Sequence, residues 1–68
     1  MFAKFIDKKG NAVFVADEAI VAVHSTTTDP AKPTALVVTA GYSFEIAQDA
    51  EEFVTAGGEY KPPKADKS

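Results

Sequence analysis

The apolar and polar positions follow two rhythms, a β-like one over most of the chain and a helix-like one near its end. Thr34 to Thr39 is β-branched and apolar, Ala40-Gly41 can turn, and Tyr42 to Ile46 alternates strictly between apolar and polar, which predicts a β-hairpin. Leu36 and Val38 then share one face, and Phe44 and Ile46 point to the core. Upstream, Phe2 to Asp7 reads as a first strand whose alternation is not clean, so that either face could be the inner one, with Phe5 favoured for the core. Lys8-Lys9-Gly10-Asn11 reads as a turn because Gly10 and Asn11 tolerate positive φ, so Ala12 to Val15 pairs antiparallel with the first strand. Ala16 to Ala19 breaks the pattern and suits a single helical or 3₁₀ turn. Ile20 to Thr26 is too β-branched for a helix and predicts a third strand, with either Ile20, Ala22 and His24 or Val21, Val23 and Ser25 facing in.

Thr27 to Pro33 is a polar loop whose prolines exclude a central strand. From Gln48 the period changes: Ala50, Phe53 and Val54 fall at i, i+3 and i+4, and acidic residues crowd the first turn, as in a short helix ended by Gly57-Gly58. The expected fold class is mainly β (α+β), a five-stranded antiparallel meander or small SH3-like barrel with one short C-terminal helix. Residues 1–58 form the single domain, and residues 59–68, with Pro62-Pro63 and four charged side chains among them before the last lysine, form a disordered tail.

The order of turns resembles that of the FlbD-like proteins of flagellar and swarming motility, and of similar short proteins in phage genomes. The matching residues are Lys9-Gly10-Asn11, Val15 to Ile20, Val38-Thr39-Ala40-Gly41 and Gln48 to Val54. Ala16-Asp17 stands where that pattern has Asn-Pro, and the Thr26 to Pro33 loop is longer. The resemblance spans roughly residues 2 to 56. It implies a small, non-enzymatic accessory factor and supplies no catalytic residues.

Size and charge narrow the functions further. A chain of 68 residues buries only about 60% of its unfolded surface, so a staple or a partner is expected. No cysteine is present, which excludes disulfides, thiolate metal sites and thiol nucleophiles, and leaves self-association. The net charge of −3 and the absence of arginine argue against nucleic acid as a partner. The apolar runs are too short to span a bilayer and no signal peptide is recognisable, so a cytoplasmic location is expected.

Candidate chemistry is sparse. His24 and Ser25 are neighbours in a strand and point to opposite faces, so they cannot form a nucleophile–base pair. Glu45, Asp49, Glu51 and Glu52 lack the spacing of a calcium loop, and neither a metal nor a cofactor is expected. No glycine-rich loop precedes a helix to cradle phosphate. His24, Thr27, Thr28 and Lys32 could supply hydrogen bonds to a small polar ligand.

The aromatic content is the more telling feature. Phe2, Phe5, Phe14, Tyr42, Phe44 and Phe53 are more than a two-layer core of this size hides. At about 25 cal/mol per Å², burying two or three of them between subunits contributes several kcal/mol. Phe2, Phe14 and Tyr42 are therefore the expected interface residues of a homo-oligomer that binds another protein, and an enzyme is not expected.

Overall fold

The computed structural model describes residues 1–64. Strands β1 (Phe2–Ile6), β2 (Ala12–Ala16), β3 (Ile20–Ser25), β4 (Ala35–Thr39) and β5 (Ser43–Ile46) are joined by turns, with 3₁₀ turns at Asp17–Ala19 and Ala50–Phe53. All pairings between strands are antiparallel, as the alternation predicts.

The β1–β2 hairpin closes where Gly10 and Asn11 direct it. Gly10 takes φ +86°, and Asp7 Oδ1 accepts the Lys9 and Asn11 N–H groups at 2.9 Å each. Between β4 and β5 neither Ala40 nor Gly41 has positive φ. The Thr39 hydroxyl holds that turn instead, donating to the Tyr42 carbonyl at 2.8 Å and accepting its N–H at 3.1 Å.

The five strands form two sheets, β1-β2 and β3-β4-β5, where the sequence predicted one meander or a closed barrel. The break falls at Asp17–Ala19, which turns the chain so that β3 starts a new sheet. Asp17 donates its N–H to the Met1 carbonyl at 2.9 Å, and Ile20 donates to the Asp17 carbonyl. The sheets meet at the other end, through a bridge between Asp7 and Ile46 and a bond from Ala47 N–H to the Ile6 carbonyl at 3.0 Å. Among the described residues no ladder joins β2 to β3, so the barrel is not closed.

The core lies between the sheets and is built on Phe5. Its ring meets Phe53 edge-on at 5.3 Å and Phe44 at 5.9 Å, a geometry aromatic quadrupoles favour. Ala3, Val15, Ala35, Val37, Ile46 and Ala50 are buried with it. Phe5 and Ile46 thus face inward as expected, and Phe44 packs half-buried beside them. On β3 neither expected set faces in. A bulge at Val21 shifts the register, so Ile20 and Val23, three apart, both pack on the core while Val21 is 70% exposed.

The C-terminal helix is a single 3₁₀ turn. Ala50 and Phe53 are buried at i and i+3, a spacing that a 3₁₀ turn satisfies as well as an α-helix. Asp49 Oδ1 caps the turn by accepting Glu51 N–H at 3.1 Å. Val54 is extended and bridges to Tyr60, so the helical pattern stops one residue before the third predicted position. The chain then turns back on itself after Val54. Gly58, with φ +83°, closes a small hairpin in which Thr55 N–H donates to the Glu59 carbonyl at 2.9 Å, and Tyr60 packs against the core. Of the expected tail, residues 65–68 lie outside the described residues.

Candidate functional site

Two surfaces gather four of the residues singled out by the sequence, Phe2 with Phe14 and Thr28 with Lys32. The first is the outward side of the β1–β2 sheet. Because Ala3, Phe5 and Val15 point inward, Phe2 and Phe14 point out, at 59% and 46% exposure. The register pairs Phe2 with Ala16 and Lys4 with Phe14, which makes the two rings diagonal neighbours on one face. Half-buried Ile6, opposite Ala12, extends the same row. Exposed Met1 precedes it, its ammonium donating to Glu18 Oε1 at 3.0 Å, which holds that ammonium above its ordinary pKa.

Tyr42 does not join this patch. Its ring stacks on Phe44 at 6.0 Å, and Phe44 in turn meets Phe5, so Tyr42 continues the inner row of β5 out to the turn. It is exposed there, on the inner side of β5 rather than on the outward face that carries Phe2 and Phe14.

The second surface is a shallow groove of about 520 Å³ between the β1–β2 turn and the Thr27 to Pro33 loop. Lys8, Thr28, Asp29, Lys32, Pro33 and Ala47 line it. It therefore brings Thr28 and Lys32 together, but neither Thr27 nor His24. The Thr27 hydroxyl is used within the loop, donating to the Thr34 carbonyl and accepting its N–H, both at 3.0 Å. His24 is exposed on β3 opposite Leu36.

One cation of the groove, Lys8, is paired. Lys8 Nζ lies 3.1 Å from Glu45 Oε1, and Glu45 Oε2 accepts from the Thr26 hydroxyl at 2.9 Å. Lys8 first, and Thr26 second, hold the Glu45 carboxyl below its usual pKa. Across the loop turn Lys32 N–H donates to the Asp29 carbonyl at 2.9 Å, and Asp29 Oδ1 accepts from Ala31 N–H at 3.0 Å. Among the described residues no group of three His, Asp or Glu side chains is placed to hold a metal, and no helix is long and apolar enough to cross a membrane.

Tyr60 is a residue that sequence reasoning missed, because Lys-Pro-Pro-Lys after it reads as tail. Its hydroxyl is buried without a hydrogen-bond partner among the described residues, and burial, with Asp17 nearby, pushes its pKa up to about 12. The signal was present: Val54 and Tyr60 are β-prone residues flanking Gly57-Gly58, the composition of a hairpin.

Comparison with known proteins gives no match to this chain, whether to family models, curated proteins or solved structures.

Proposed function

We propose that this is a small non-enzymatic interaction protein that self-associates and binds another protein through the outward side of its β1–β2 sheet. The observation that carries the reading is the pair of exposed rings, Phe2 and Phe14, side by side on a face that nothing in the described chain covers. Apolar patches of this kind on small chains mark interaction sites. The resemblance of its turns to FlbD-like and phage proteins favours a bacterial or phage accessory factor, working in the cytoplasm. We read the two sheets as an SH3-like barrel left open between β2 and β3, which keeps β2 accessible. The net charge of −3 opposes nucleic acid as the partner.

The test is the solution mass by light scattering across a range of concentrations, for the native chain and Phe14→Ser. The native chain is expected to exceed its 7.2 kDa, and the variant to fall to it while keeping its circular dichroism. A folded variant that stays associated contradicts the reading.

A second reading draws on the groove, which places Thr28 and Lys32 together as a small polar ligand requires. Ligand binding to the native state raises its melting temperature by mass action. A thermal-shift screen against nucleotides tests it, and a flat result across the panel rejects it.

A further inference from the structure

Along the free edge of β2 the β1–β2 ladder leaves backbone groups without partners among the described residues. Asp7 N–H donates to the Asn11 carbonyl at 3.0 Å, and Asp17 N–H to the Met1 carbonyl at 2.9 Å. Together with the register from Phe2↔Ala16 to Ile6↔Ala12, these two bonds fix the phase of the ladder at both ends. Asn11, Val13 and Val15 turn their N–H and C=O groups toward β1, as Asp17 does its N–H while its carbonyl accepts from Ile20, so Ala12, Phe14 and Ala16 turn theirs away. Apart from the Ala16 carbonyl, which opens the 3₁₀ turn, no strand, bridge or turn among the described residues takes up that side of β2. The strand reads Ala-Val-Phe-Val-Ala, with no charge, proline or bulge to blunt its edge.

We infer that β2 pairs antiparallel with β2 of a second copy of this chain, about a two-fold axis at Phe14. This rests on the self-association proposed above and specifies its geometry. With the axis at Phe14, every outward group of one strand meets an outward group of the other. Phe14 lies opposite its own copy, Ala12 opposite the partner's Ala16, and Asn11 opposite the partner's Asp17. Each hydrogen-bonded pair exchanges two bonds. The alanines let the strands approach, and the two Phe14 rings meet on the outer face, extending the apolar row that begins at Phe2. The two Lys4 side chains lie three strand spacings apart, roughly 14 Å, beyond the screening length at physiological salt.

The edge of β3 is the competing choice, and it is the poorer one. Thr26 N–H bonded to the Thr34 carbonyl at 3.1 Å turns Val23 and Ser25 outward, but the bulge at Val21 interrupts the edge. Pairing β2 with β3 of another copy would also be heterologous and open-ended, whereas β2 on β2 closes as a dimer.

Two variants test this geometry. Ala16 already has φ −59° and its N–H faces away from β1, so Ala16→Pro removes an outer donor without disturbing the ladder within the chain. It is expected to shift the native dimer to 7.2 kDa while leaving circular dichroism unchanged. The chain has no cysteine, so Ala12→Cys and Ala16→Cys can be prepared as separate variants and mixed under mild oxidation. Opposed Cα atoms about 5.5 Å apart suit a disulfide, whereas like residues would be about 13 Å apart along the strands. The mixture should therefore cross-link many times faster than either variant alone. A folded Ala16→Pro chain that remains dimeric, or equal cross-linking with and without mixing, overturns the inference while leaving self-association standing. A native chain of 7.2 kDa at every concentration overturns both.

Discussion

The outward faces of the two sheets meet water in different ways. On β3-β4-β5, Glu45 takes Lys8 at 3.1 Å and the Thr26 hydroxyl at 2.9 Å, and Thr26 also reaches Thr34 at 2.8 Å. That face pairs Glu45, Thr26 and Thr34 within the chain, beside half-buried Leu36 and Val38. On β1-β2, the face carries exposed Phe2 and Phe14, and along the adjoining edge the amides of Ala12, Phe14 and Ala16 have no partner among the described residues. The difference teaches where to look for a partner: a surface whose groups already satisfy one another gains little by association, and one whose groups do not gains most.

The largest effect should come from the core beneath both faces. Phe5→Ala removes the ring that links Phe44 to Phe53, at an expected loss of about 3–5 kcal/mol. In a domain near the lower end of the usual 5–15 kcal/mol range this leaves the chain largely unfolded, as urea titration would show. Phe14→Ser separates the faces more sharply, because it should abolish association yet change monomer stability by no more than about 0.5 kcal/mol. A comparable loss of stability would mean that Phe14 belongs to the core.

Tyr60→Phe should stabilise the fold by about 1 kcal/mol, since it removes a buried hydroxyl with no partner. The native hydroxyl keeps its proton up to about pH 12 in the fold, against an ordinary value of 10.0 in the unfolded chain. The fold therefore loses stability as pH rises from 10 toward 12, and the variant should escape that loss in thermal melts. The smallest effect belongs to Glu45→Gln on the finished face. Because the folded carboxyl is held below its ordinary pKa of 4.5, its contribution is present above that pH and disappears as pH falls through the lower value. The melting temperatures of native and variant chains should converge in acid.

Much of this was legible in the sequence. The five strands and the turn at Gly10 follow from alternation and turn chemistry, and the exposure of Phe2 and Phe14 from counting aromatics against one small core. The uneven alternation of β1 leaves its inner face open, and the packing decides it by placing Phe5 at the centre of the core. The bulge at Val21 was hidden because a single extra residue in a run of β-branched side chains leaves no mark in composition. Ala50 and Phe53 fit two helical periods equally, and only Val54 turning extended decides between them. At the groove, Thr27 could not be separated from Thr28 without knowing which hydroxyl the loop itself uses.

The most direct measurement is amide hydrogen exchange at Ala12, Phe14 and Ala16, at high and low protein concentration. If β2 is covered by a second copy, these three amides exchange slowly in the concentrated sample and speed up on dilution, while Val13 and Val15, bonded to β1, remain slow in both. Fast exchange at all three in a sample that light scattering shows to be associated would contradict that assignment of the interface.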